Sequence, residues 1–329
     1  MAVYTSISED LFKEVLTEYS IGNYVLSKGI AEGVENTNYL LETTDKKFIA
    51  TCFEKRANLN ELPFFFELME HLSEKNIPCP VPIHGNDNNV LREVESKPFA
   101  IVSFLQGRWP KKVNAAQCEE VGKILAQMHN AVHDFSSARE NTVGIYSWRS
   151  MYIACLSALD QVESNDSSNN IRYSKIANEI EKLLDRVEEE WPKKLPSGVI
   201  HGDLFPDNVF FKGDSLTGVL DFYFACTDFL VYDLAIAMNA WCFESNAEFN
   251  ITRARRLLRG YNKVRPLSDG ELKSLPILCS GAALRFLLTR LYDALHQVEG
   301  ALVTVKDPDE YLQKLRFHLQ VKSHGEYGL

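Results

Sequence analysis

The chain has 329 residues, 45% of them hydrophobic, and a formal net charge of −10 at pH 7. That is enough apolar material for one large core or two smaller ones, and the acidic balance argues against nucleic acid or an anionic membrane as the main partner. Seven cysteines, odd in number and scattered without a C-x-x-C pair, predict reduced structural thiols in a cytoplasmic protein rather than disulfides or a zinc site. There is no basic-then-apolar leader and no run of about 18 apolar residues, so no membrane insertion is expected.

In chain order, "SEDLFKEVLTEY" (8–19) predicts a short amphipathic helix with Ser8 as its cap. "YVLSKGI", "TNYLLETT" and "KFIATCF" follow as strands, the last two joined by the turn "TDKK", which suggests an antiparallel meander. "LPFFFELMEHLSEKN" predicts a helix with Pro63 near its start and Asn76 near its end. After the turn-rich "IPCPVPIHGNDNNV" come two more strands, around "NVLREV" and "KPFAIVSFL".

The pattern changes near "LQGRWP". Asn114 can cap a helix in which Val121, Ile124, Leu125, Met128 and Val132 form one stripe. Further helices are expected at about 148–162, 171–190, 231–244, 247–263, 268–295 and 308–318. The fold class is therefore α+β with two lobes: a small antiparallel β lobe over 1–105 and a larger, mainly helical lobe over 106–329. Ligands often bind where two such lobes meet.

Function is concentrated in "HGDLFPDNVFF" and the "LDF" that follows it. Buried acids are costly unless a positive group pairs with them. Asp203 and Asn208 fall on a loop after the apolar run "SGVI", and Asp221 falls at the end of the next strand. This spacing suits phosphoryl transfer. One carboxylate takes the proton of an attacking hydroxyl, while an amide oxygen and a second carboxylate hold Mg²⁺ on a nucleotide. Each residue alone has an ordinary structural explanation in a turn, but the combination behind a two-lobe pattern is far more specific.

"HGDLFPDN…LDF" resembles the catalytic and metal-binding loops of the aminoglycoside phosphotransferase and choline kinase superfamily, relatives of the protein kinases. "EGVENTNYLLETTDKKFIATCFEKR", "LPFFFELMEHL", "IPCPVP", "VLDFYFACTDFLVYDLAIAMNAWCFE" and "GAALRFLLTRLYD" closely resemble the bacterial homoserine kinases of that superfamily, across nearly the whole chain. The resemblance implies a protein-kinase-like fold and ATP- and Mg²⁺-dependent phosphorylation of L-homoserine to O-phospho-L-homoserine, a step of threonine biosynthesis. It implies small-molecule partners only, in a monomer or homodimer.

By the same resemblance Asp203 would be the base, Asn208 and Asp221 the Mg²⁺ ligands, His201 architectural, and Asp233 a brace on the catalytic loop. Asp233 could equally be an ordinary helix N-terminal acid, and His129 in "LAQMHN" suits a core or interhelical histidine. Gly33, Asn36 and Thr37 would lie over the nucleotide phosphates, and Val102 to Leu105, including Phe104, would meet adenine. The sequence departs from relatives at Thr51, which occupies the position of the phosphate-pairing lysine of protein kinases. Lys55 or Arg56 is the nearest substitute, with Glu67 or Glu70 as a possible partner. Arg285 or Arg290, in a mostly apolar helix, suits the acceptor carboxylate, with Tyr223, Asn239 and Trp241 as weaker pocket candidates. Two alternatives stay open: a kinase for an amino alcohol or aminoglycoside, and a nucleotide-binding regulator lacking activity.

Overall fold

A computed structural model of the chain describes residues 5–30, 36–54, 59–161, 167–296 and 306–329. Two compact units result. One comprises Met1–Arg108 together with Thr217–Leu220, and the other Trp109–Leu216 with Asp221–Leu329.

The first unit opens with α1 (Glu9–Leu16), capped by the Ser8 side chain on the Leu11 N–H. Strands β1 (Tyr24–Ile30), β2 (Thr37–Thr43) and β3 (Lys47–Cys52) follow, then α2 (Leu62–Glu74), then β4 (Arg92–Val94) and β5 (Lys97–Ser103). All pairings are antiparallel, but the spatial order β1-β2-β3-β5-β4 is not a plain meander. The last strand slots between β3 and β4 because α2 is inserted between them.

Alternation decides which side chains share a face. Phe12 and Leu16 of α1 pack on Tyr39, Leu41, Phe48, Ala50, Cys52, Phe99 and Ile101. Thr37, Glu54 and Lys97 share that parity. Asn38, Thr51, Ala100 and Val102 face the other way.

The second unit holds α3 (Ala115–Ala131), α4 (Ile145–Gln161), α5 (Ser167–Glu190), β6 (Ser197–Ile200), β7 (Val209–Lys212), β8 (Ser215–Val219, whose end belongs to the first unit), β9 (Cys226–Phe229), α6 (Leu230–Trp241), α7 (Ile251–Val264), α8 (Asp269–Leu295) and α9 (Pro308–His318). β9 escapes the sequence pattern: "CTDF" is too short and polar to signal a strand, yet it pairs antiparallel with β6, Ile200 opposite Cys226. α7 starts at Ile251 rather than 247, because Asn250 caps it. α8 is the one described helix long and apolar enough to cross a bilayer, but most of it is buried, and it packs against α4, α5, α6 and α9.

Helices α3 and α7 pack unusually closely at two glycines. A Cβ on Gly122 would lie 2.0 Å from the Leu257 carbonyl oxygen, and one on Gly260 would lie 2.1 Å from that of Glu119. Any side chain there would push the helices apart. All seven cysteines are buried and unpaired.

Candidate active site

The β6–β9 pair sets Ser197, at the start of β6, opposite Phe229, just before α6, and the loop after the other end of β6 is His201–Gly202–Asp203. Gly202 has φ +75°, and a Cβ there would lie 2.7 Å from the Phe224 carbonyl oxygen, so only glycine fits. Buried backbone polar groups must find partners, and three distant side chains supply them. Asp233, in the first turn of α6 and fully buried, accepts the N–H groups of His201 at 2.7 Å and Gly202 at 2.9 Å. Arg285 of α8 donates to the Gly202 carbonyl at 2.6 Å. Trp241 of α6 donates its indole N–H to the Leu204 carbonyl at 2.7 Å.

Burial alone would raise the pKa of Asp233. Hydrogen bonds from His129 and from the His201 backbone, with the nearby imidazoles, outweigh it and hold the carboxyl below its ordinary value. His129 Nε2 lies 3.2 Å from Asp233 Oδ2.

Asp203 shows the opposite balance. Burial pushes its pKa up, opposed by the charges of Arg285 and His201. A carboxylate raised in this way is better matched to accepting a proton near neutral pH. Asn208 donates through Nδ2 to the Asp203 carbonyl at 2.8 Å and to its Oδ2 at 3.1 Å. With its nitrogen so engaged, the amide presents Oδ1 in the opposite direction.

Immediately after Asn208, β7 and β8 form a hairpin that brings the chain back to the same end, where Asp221 follows. Asp221 is exposed and has φ +61°. That left-handed conformation costs a non-glycine residue about 1 kcal/mol. Asn208 Oδ1 and the Asp221 carboxylate are hard oxygens of the kind Mg²⁺ takes, and Mg²⁺ needs few protein ligands when phosphate supplies the rest.

Other sequence-predicted residues fall elsewhere. Arg290 is turned away, donating to Glu310 at 2.6 Å and to the Asp307 carbonyl at 2.9 Å, because α9 packs its acidic first turn there. Asn239 is buried and donates to the Ala235 and Cys279 carbonyls, both at 3.0 Å. Trp241 is likewise buried, so it supports the loop instead of lining a pocket. Arg285 is 3% exposed and holds the loop from within. Tyr223 is half-buried, its phenol pushed up by burial and then by Asp221.

A cation absent from the sequence analysis, Lys306, is exposed with its Nζ 5.7 Å from the centre of the Phe205 ring. Among the described residues no carboxylate pairs with it. Lys306 is too isolated in sequence to have been found from a motif.

In the first unit Thr37 turns to the α1 side. Its hydroxyl donates to Glu54 at 2.8 Å and accepts from the Thr5 N–H at 3.2 Å, while Lys97 pairs with the same Glu54. Asn36 accepts the Glu54 N–H at 3.3 Å. Thr51 lies on the opposite face with Val102, and its hydroxyl donates to Asn38 Oδ1 at 2.8 Å. Asn38 was not singled out from sequence, although strand alternation from Thr51 and the β2–β3 register lead to it. Phe104 follows β5 and is 39% exposed. Glu70 pairs with His84 at 2.5 Å. Gly33, Lys55 and Arg56 lie outside the described residues.

Residues 27–267 of the chain, which include this loop and hairpin, match the family model described as "Phosphotransferase enzyme family". The chain belongs to that family. The spectinomycin phosphotransferase solved with ADP and spectinomycin has the same fold, with a TM-score of 0.68, 13% identity and 98% of each chain covered.

Likeness to the homoserine kinases runs the whole length. The chain is 50% identical to that of Rhizobium etli, covering 100% of this chain and 99% of the relative. It is also 50% identical to that of Paramagnetospirillum magneticum, covering all of both. Within the phosphotransferases, the chain belongs with the homoserine kinases.

Proposed function

We propose that this protein transfers the γ-phosphoryl group of ATP to the side-chain hydroxyl of L-homoserine, yielding O-phospho-L-homoserine and ADP for threonine biosynthesis. The observation that carries the chemistry is the Asp203–Asn208 pair on a loop whose backbone three distant side chains hold. The acceptor is supported by the full-length likeness to homoserine kinases. Asp203 takes the hydroxyl proton as the oxygen bonds to the γ-phosphorus and the bond to the β–γ bridging oxygen breaks. Asn208 Oδ1 and Asp221 would hold Mg²⁺, which supplies positive charge against the phosphates.

The nucleotide is placed against the sheet face of Asn38, Thr51 and Val102, and the Phe104 segment offers backbone groups to the base. The acceptor carboxylate is assigned to Lys306, an exposed cation over the Phe205 ring, because Arg285 and Arg290 are committed to Gly202 and Glu310. Seven unpaired thiols suit the reducing cytoplasm.

The test is an acceptor panel with Mg-ATP, scored by ADP release, comparing L-homoserine with ethanolamine, choline and spectinomycin. An acceptor lacking the carboxylate forgoes the ion pair with Lys306, which at an exposed ammonium is worth up to about 1 kcal/mol. Homoserine should therefore win by several-fold in kcat/KM from this contact. Equal rates with ethanolamine would remove homoserine as the substrate, and no release with any acceptor would remove the kinase assignment.

A further inference from the structure

Behind Asp233 lies a chain of buried polar side chains that the phosphotransfer chemistry does not itself use. His129 Nδ1 lies 2.7 Å from the Tyr261 hydroxyl. That hydroxyl also lies 3.0 Å from Arg265 Nη1, which in turn pairs with Glu271 at 2.8 Å. Glu271 is 1% exposed and closes the capping box of α8, accepting from the Ser268 N–H at 3.0 Å and its hydroxyl at 2.8 Å. Side chains from α8, the end of α7, α3 and α6 thus connect in sequence to the loop that carries Asp203.

The protons in this chain follow from donor and acceptor chemistry when His129 carries a single ring proton. Arginine only donates, so the Tyr261 oxygen accepts from Arg265. Its single proton then points to His129 Nδ1, and burial raises the Tyr261 pKa, which keeps that proton in place. Nδ1 is therefore an acceptor, and the ring proton sits on Nε2, facing a carboxylate that only accepts. Each joint has one donor and one acceptor. The Gly122–Gly260 approach of α3 and α7 accompanies the contact of His129, two turns beyond Gly122, with Tyr261, the residue after Gly260.

We propose that Tyr261 and Arg265 are positioning residues for phosphoryl transfer: they fix His129 as the Nε2–H tautomer, so that Asp233 is held to grip the His201 and Gly202 N–H groups and set the direction of Asp203. The proposal rests on the phosphotransferase assignment, although one arm of its test does not. The residues act through a fixed tautomer, as second partners of orienting histidines do elsewhere. Without the Tyr261 proton, Nδ1 is left as a buried acceptor, and the other tautomer, with Nδ1–H, would withdraw the donor from Asp233. Loop misplacement by a fraction of an ångström affects the chemical step more than substrate binding.

The experiment compares wild type with Tyr261→Phe, Arg265→Met, His129→Gln and His129→Ala. Steady-state kinetics are measured for both substrates, thermal unfolding for each variant, and ¹⁵N spectra of histidine-labelled protein for His129. The wild-type spectrum should show the Nε2–H form, and Tyr261→Phe should give a mixture of tautomers. In that variant kcat should fall about tenfold or more, with both KM values within about twofold. His129→Gln, whose amide can donate to Asp233 and accept from Tyr261, should keep more kcat than His129→Ala at matched stability. A wild-type His129 protonated at Nδ1, alone or together with Nε2, would overturn the proposal whatever the acceptor proves to be. So would a Tyr261→Phe variant with unchanged kcat, or one whose activity loss is only its loss of folded protein.

Discussion

Asn208 donates through one nitrogen to both the carbonyl and the carboxylate of Asp203, at 2.8 and 3.1 Å. A single amide thus steadies the acid while directing its own oxygen the other way. That division of labour separates the roles of the two residues and makes them testable one at a time.

Asp203→Asn should lower kcat by at least about 100-fold while leaving Mg-ATP affinity within a few-fold. The base acts on the acceptor hydroxyl, so its loss appears in the chemical step. Kinetics paired with calorimetry decides this; a variant retaining a tenth of wild-type kcat would remove Asp203 from the role.

Asp221 combines the carboxylate proposed to bind metal with an unfavourable backbone at φ +61°. Asp221→Gly should therefore raise thermal stability, by the equivalent of about 1 kcal/mol, while abolishing Mg²⁺-dependent ATP binding. Asn208→Ala should weaken that binding less, since an amide brings a dipole and not a charge. Unchanged Mg-ATP affinity in Asp221→Gly would refute the metal assignment.

The two cations near Asp203 should separate in a pH profile. The acid limb of kcat/KM reflects ionisation of Asp203, already above the ordinary carboxylate value through burial and drawn down mainly by Arg285. Arg285→Met should move the limb to higher pH and reduce kcat, because Gly202 also loses a donor. Lys306→Met should shift the limb less and instead raise KM for the acceptor. A raised acceptor KM with an unmoved limb in Arg285→Met would reverse the two roles.

Asp233→Asn should destabilise the fold by roughly 3–5 kcal/mol at neutral pH, the usual cost of breaking a buried charged network. Both oxygens accept N–H groups, so an amide must turn its nitrogen toward one of them. The folded pKa of Asp233 is lowered, so its contribution is present above the unfolded carboxyl value and lost as pH falls through the folded one. Denaturant melts should show the gap between wild type and variant narrowing in acid. A gap independent of pH would show that the charge is not what stabilises the loop.

Much was legible before any coordinates because it is local. Ser8 and Asn114 cap helices through contacts three residues away, and alternation or helical periodicity locates most strands and helices. Asp203, Asn208 and Asp221 lie within one short stretch, so the expectation of a metal-assisted transfer could be drawn from their residue types. β9 was hidden because a four-residue polar strand has no periodicity to show, and its pairing with β6 comes from the fold around it.

What the sequence determined by itself, then, is the set of elements and the chemistry of one loop, since both depend on neighbours along the chain. Only the tertiary structure decided which distant groups serve that loop. Arginines 285 and 290 look alike in one apolar helix, yet one meets Gly202 and the other Glu310. His129, Asp233, Tyr261 and Arg265 come together from three helices and the turn after α7. A buried polar atom must find a partner, but the requirement does not name it. The choice depends on helix packing, here on how closely Gly122 and Gly260 let α3 and α7 approach.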